Sequence, residues 1–370
     1  MAKRRPDGSK NGGVVQDGLY ITPLLAKVDE NISIIRTGAT GYIGGDAFFR
    51  LNEVHPEWEF TALVRSQEKG ALVTSKYPNT KLVYGDLDSV ALLEEEAKKA
   101  DIVYHFADCD HVASSQAIAK GIAAHTPDRP GWWIHTSGTG ILTFEDLGNS
   151  TYGGLRPKEY NDWDGIGEVT SLPDEAFHRD VDKIVLAVGE VAADRAKTAI
   201  VCPPTIYGAG RGPGNTRGSQ IYNLAKYVLK RKKGLQVGKG ENVWHEIHVY
   251  DLSDLFLLLG EAAAAGGGKA TWGKEGYYFV ENGSFVWGDV EKAVAKIAFD
   301  KGLITSSELE ILDGKQTADL FAFGPFSWGT NSRAHAIRAK KLLGWNPHRP
   351  SAREILPDIV DLEAKALGLA

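Results

Sequence analysis

The chain has 370 residues, 43% hydrophobic and 24% charged, which suits one large globular domain or a large domain with a smaller lobe. A formal net charge of -6 argues against a general nucleic-acid binder, and the basic runs Lys3-Arg4-Arg5 and Lys230-Arg231-Lys232-Lys233 read as a tail and a solvated helix end. Two cysteines, Cys109 and Cys202, indicate neither a disulfide framework nor a zinc site. No apolar leader or membrane-length run occurs, so the expected setting is cytoplasmic with no membrane partner.

Residues 1–28 lack a sustained period and read as a flexible tail. Next, Asn31-Ile32-Ser33-Ile34-Ile35 reads as a buried strand and Tyr42 to Val54 as a helix, which places Thr37-Gly38-Ala39-Thr40-Gly41-Tyr42-Ile43-Gly44-Gly45 at a strand-to-helix turn. Gly38 permits the sharp exit from the strand, Gly41 the approach of a pyrophosphate, and Gly44 close packing of helix on strand. With Thr40, Tyr42 and Ile43 they predict a dinucleotide held at a helix N-terminus, where free N–H groups meet the phosphates.

Glu59 to Val64 is the second strand, and Arg65 follows it. A positive group there accepts a 2′-phosphate, whereas an acidic one binds the ribose 2′-hydroxyl, so NADP is expected over NAD. Lys81 to Tyr84 is a third strand, Val90 to Lys99 a helix, and Asp101 to Ala107 a fourth strand in which His105 reads as structural. Gly131 to Thr136 is the fifth. It ends at Ser137-Gly138-Thr139-Gly140, and because ligands gather at the carboxyl ends of such strands, Ser137 sits where chemistry is expected. Leu142 to Pro173 has no period and reads as a substrate-facing insertion. A helix from about Glu175 to Arg195, capped by Asp174, carries Lys183, and Thr198 to Cys202 is the sixth strand.

Further landmarks follow. Thr37-Gly38-x-x-Gly41-x-x-Gly44, Pro203-Pro204-Thr205-Ile206-Tyr207-Gly208, His248-Val249 with Asp251, and Leu343-Gly344-Trp345-Asn346-Pro347 together resemble the extended branch of the short-chain dehydrogenase/reductase superfamily, the epimerase/dehydratase-like type, over residues 31–365. Cys202 stands where that branch usually has arginine. The resemblance implies an α/β Rossmann fold, a doubly wound parallel sheet formed by residues 29–205 with 242–266 returning to it. A smaller, interleaved substrate lobe would take 206–241 and 267–370. It also implies that Asp86 and Leu87 line the adenine, that Ala107 passes the ribose and nicotinamide, that Ser137 bonds the reacting carbonyl, and that Lys183 holds the nicotinamide ribose.

At one place the pattern breaks. The superfamily's proton donor is a tyrosine four residues before that lysine, and here the position is Arg179. At 100° per residue Arg179 lies roughly 40° from Lys183 around the helix and His178 roughly 140° away, so His178 is expected to be a poor replacement. Arg179 could hold an anionic oxygen, and Tyr160, in the polar-aromatic cluster Tyr160-Asn161-Asp162-Trp163-Asp164, is the first choice for the missing acid, with Tyr152 and Tyr207 behind it. Three functions stay open: an NADPH-dependent reductase of a carbonyl or conjugated alkene in a small hydrophobic metabolite, an isomerase or cyclase working by proton transfer, and a non-catalytic NADP sensor. A monomer or homodimer is expected.

Overall fold

The computed structural model describes residues 32–370, so the expected tail over residues 1–28 lies outside the described residues. Short apolar strands alternate with helices through the first part of the chain: β1 (Ser33–Thr37), α1 (Tyr42–Val54), β2 (Glu59–Val64), α2 (Gln67–Lys76), β3 (Lys81–Tyr84), α3 (Val90–Lys99), β4 (Ile102–His105), α4 (Val112–Ala123) and β5 (Gly131–Thr136). Each helical crossover returns the chain parallel to the strand it left. With Ala196–Cys202 and Tyr277–Phe279 these strands make a seven-stranded parallel sheet, in the order 277–279, 196–202, β5, β4, β1, β2, β3. The order turns back between β1 and β4, and a crevice opens there at the carboxyl ends of the strands. This is the doubly wound Rossmann sheet expected from the sequence.

One core fills the two faces of this sheet, with Phe48 and Leu51 of α1 packed near Leu252, Leu255 and Phe256 of the helix Val249–Ala264. A second core forms around the parallel pair Lys233–Val237 and Ser306–Leu312, where Leu224, Val228, Trp287, Val294 and Val360 come together from three helices. Between the two runs a small sheet of Thr205–Tyr207, Val243–His248 and Ser284–Val286.

The expected division of the chain changes in two places. The strand Val243–His248 pairs within the small sheet, and only the helix after it returns to the large one. Within 267–370, expected in the lobe, Tyr277–Phe279 is instead the edge strand of the large sheet, and Ala334, Ala336, Ala339 and Trp345 lie in the first core. The physical reason is Asp162, fully buried, whose carboxylate accepts backbone N–H bonds from Phe279, Ile337 and Arg338. The cluster around Tyr160, within the insertion expected to face substrate, is therefore a latch between distant segments. Its strand Tyr160–Asn161 runs parallel to Ala334–His335.

Candidate active site

At the carboxyl ends of β1 to β4 lies a cleft of about 540 Å³ lined by Gly38, Thr40, Gly41, Arg65, Lys69, Asp86, Leu87, Ala107 and Asp108, with Asn215 from the loop over the motif. Gly38 has φ +70°, and a Cβ there would stand 2.7 Å from the Phe106 carbonyl carbon. A Cβ on Gly44 would stand 2.5 Å from the Gly38 oxygen, so glycine is required for helix to meet strand. Gly41 differs, since its Cβ would meet only the Gly38 oxygen, at 3.1 Å. Helix α1 has no side-chain cap and no acidic residue in its first turn, which leaves its N–H groups and positive end for an anion. Tyr42 and Ile43 face an adjoining cleft of about 440 Å³ that shares Phe106 and Asn215 with the first and includes Pro204, Ile206 and Gln220. Lys69 was missed in the sequence, although its place four residues after Arg65, in the first turn of α2, was a usable signal.

At the end of β5 the Ser137 side chain is buried, and among the described residues its hydroxyl has no formed hydrogen bond, with Asp182 nearby. Facing it is the start of the helix Arg179–Val191. His178, the residue before that helix, has φ +70°, a left-handed conformation that costs of order 1–3 kcal/mol in a non-glycine residue. Its Nδ1 donates to Asp110 Oδ1 at 2.7 Å and lies 3.4 Å from Cys109 Sγ. Its Nε2 points at Gly138 and Gly140: a Cβ on either would stand 2.9 or 3.2 Å from it. Burial opposes a charge on His178, but Asp110 and Cys109 outweigh it and push the imidazole up to about 10.

One helical turn on, Asp182 is fully buried and accepts from the Tyr277 hydroxyl at 2.9 Å. Burial raises its carboxyl to about 6 against the nearby His178, Ser137 and Tyr277. Phe177 and Phe326, with ring centroids 5.3 Å apart, wall the space beside Gly140. Behind the site His105 and His135, neighbours on β4 and β5, meet Nδ1 to Nδ1 at 3.1 Å. Burial lowers both, His105 to about 4.

Three side chains proposed for catalysis face elsewhere. Lys183 pairs with Asp174 at 2.8 Å, the lysine half-buried and the aspartate exposed. Asp174 is thus occupied by an ion pair, and the helix expected from about Glu175 begins at Arg179. Arg179 donates to the carbonyls of Leu172 and Thr170 at 3.0 and 2.7 Å, which ties its guanidinium to the preceding turn. Tyr160 is packed in the first core, near Glu145, Glu168 and Arg156, and burial raises its hydroxyl to about 12. Tyr207 donates to the Pro350 carbonyl, and Tyr152 packs on the second core. The pair one turn apart that does face Ser137 is His178 and Asp182, a single residue earlier than expected.

Fold and crevice define an extended short-chain dehydrogenase/reductase. The profile of the NAD dependent epimerase/dehydratase family matches residues 34–126. Oxidase ucsJ of an Acremonium species is 40% identical over 344 residues, covering 91% of this chain and 99% of the relative. An uncharacterized protein of Saccharomyces cerevisiae is 26% identical over 334 residues, covering 86% and 95%. Among solved structures, dTDP-glucose 4,6-dehydratase from Bacillus anthracis in complex with NAD has a TM-score of 0.63 at 16% identity, over 91% of this chain and 98% of that one. UDP-glucose 4-epimerase of Thermotoga maritima, with UDP-glucose, has a TM-score of 0.61 at 16% identity over 91% and 100%. The chain belongs to the NAD-dependent epimerase/dehydratase family.

Proposed function

We propose that this chain is an NADP-dependent oxidoreductase that exchanges a hydride with a carbonyl or conjugated alkene carbon of a small hydrophobic metabolite. The observation that carries the reading is a cleft at the carboxyl ends of the sheet's strands, with a positive pair, Arg65 and Lys69, on its lining, while the neighbouring strand β5 ends at Ser137, near His178. The cradle fits a dinucleotide: Gly38 and Gly44 leave no room for a side chain, and the uncapped end of α1 suits a pyrophosphate. When bound, the dinucleotide supplies or accepts the hydride. Arg65 and Lys69 hold the 2′-phosphate, which favours NADP over NAD. Asp86 and Leu87 line the adenine, and Ala107 lies along the nicotinamide ribose.

Ser137 holds the substrate oxygen by its hydroxyl. His178 moves the proton at Nε2 while Asp110 fixes its Nδ1–H, the arrangement by which a carboxylate orients an imidazole. Phe177 and Phe326 keep water from the reacting carbon. The name of the 40% identical relative, an oxidase, belongs to the same broad chemistry. The isomerase reading loses the anion-holding role of Arg179, because that side chain is bound to two backbone carbonyls.

Oxidation of NADPH, or reduction of NADP, against a panel of ketones, enones and secondary alcohols tests the proposal. Stoichiometric substrate conversion is the expected result. Tight NADPH binding with no turnover on any of them would instead favour the sensor.

A further inference from the structure

Cys109, Asp110 and His178 do more than orient one another. We propose that they form a binding site for a single divalent cation of the zinc type. The site is assembled by packing, since Cys109 and Asp110 follow β4 and His178 precedes the helix Arg179–Val191. One donor atom from each residue, Sγ, Oδ1 and Nδ1, lies within 4.8 Å of the other two. A tetrahedral zinc ion, with bonds of about 2.3 Å to sulfur and about 2.0–2.2 Å to nitrogen and oxygen, needs donors roughly 3.4–3.6 Å apart.

The Cys109 to His178 separation, 3.4 Å, already meets that need. Asp110 stands closer, 2.7 Å from Nδ1, and must draw back by roughly 0.7 Å to admit the ion. Asp110 is the member free to do so, being 36% exposed, whereas the His178 side chain is 10% exposed and its backbone is held in the left-handed region. A thiolate and a carboxylate cancel the charge of a dication, and the imidazole completes a sulfur, nitrogen and oxygen set. That set selects zinc or cobalt and not magnesium or calcium. Three protein donors leave a fourth position open.

Occupancy takes His178 Nδ1 away from Asp110. If the proton-transfer role proposed above holds, the metal therefore inhibits turnover. The site itself does not depend on that role.

The test uses the full chain, reduced and freed of metal by a chelator, titrated with Co²⁺ and with Zn²⁺ without nucleotide or substrate. Expected are one ion per chain, a thiolate-to-cobalt charge-transfer band and the visible bands of a tetrahedral cobalt. Cys109→Ser should abolish the charge-transfer band, and both it and His178→Gln should weaken zinc binding by about a hundredfold or more. Cys202→Ser, which changes the buried thiol behind the site, should leave the band unchanged. Absence of stoichiometric binding in the folded wild-type chain, or a band that survives in Cys109→Ser, would overturn the proposal. Stoichiometric zinc binding with turnover intact would keep the site and remove His178 from the reaction, so the two readings fail separately.

Discussion

The proposed dinucleotide end of the sheet and the cluster around Ser137 at its other end are built on different terms. At the dinucleotide end each determinant lies within a few residues of a strand end: Gly38 to Gly44 after β1, Arg65 and Lys69 after β2, Asp86 and Leu87 after β3, Ala107 after β4. At the other end, Cys109, Asp110, Ser137, His178 and Asp182 come from three separate stretches and meet only through packing. Local backbone chemistry therefore suffices for the first end, while the second depends on which face of one helix turns inward.

The contrast is sharpest in the glycines. Gly41→Val should abolish dinucleotide binding in a chain that still folds, because its Cβ crowds only the Gly38 oxygen, at 3.1 Å, which a shift of a few tenths of an ångström relieves, but takes the pyrophosphate's space. Gly38→Val should lower the melting temperature markedly, being both strained at φ +70° and driven into Phe106. Calorimetric titration and thermal melts separate the two. Unchanged cofactor affinity in folded Gly41→Val would make the motif structural only.

At the other end, His178→Gln should lower turnover by about 10²–10⁴ while leaving NADPH affinity nearly intact, the signature of a lost proton donor. Tyr160→Phe removes a hydroxyl from a packed ring and should change turnover little. Steady-state kinetics on both variants decides whether the acid is the residue before the helix Arg179–Val191 or lies on the strand Tyr160–Asn161.

Between the two ends, the buried His105 and His135 make stability depend on pH. His105 is held near 4 when folded and titrates near 6.5 when unfolded, so the unfolded chain takes up the proton first. Its contribution, about 3 kcal/mol, is complete above pH 6.5 and is lost as pH falls toward 4. Asp162 and Asp182, raised by burial, act with the opposite sign. The measure is therefore the difference between wild type and His105→Leu in denaturant melts: the wild-type acid limb should be the steeper. Equal slopes would mean that His105 is not the buried neutral group the packing makes it.

Arg65→Ala should lower NADPH affinity by tenfold or more with little change for NADH, as a charge-assisted contact contributes about 1.5–3 kcal/mol. Equal loss for both cofactors would place the arginine off the 2′-phosphate. Smallest of all, Lys183→Ala should change stability by less than about 1 kcal/mol and turnover hardly at all, since it removes a partly exposed ion pair. A large fall in turnover would return Lys183 to the ribose.

What the sequence determined by itself is the part governed by local rules. The alternation of buried strands and helices set the sheet, and the spacing of Gly38, Gly41 and Gly44 set the turn, because a backbone needing φ above zero or a close approach admits only glycine. The orientation of the helix Arg179–Val191 was also partly legible. Val181 and Val185 mark its buried stripe, and Lys183 stands about 200° from each, on the polar side, whereas His178 is roughly 20° from Val185. Counting back from a lysine hid this, since a helix turns toward the core the face that buries apolar surface, whatever motif runs along it.

The tertiary structure alone decided the rest. No spacing in the chain links Asp110 to His178, Asp162 to Ile337, or Tyr277 to Asp182. Each buried carboxylate or imidazole had to find its hydrogen bonds among groups far away in sequence, and only the packed sheet and helices determine which groups are within reach.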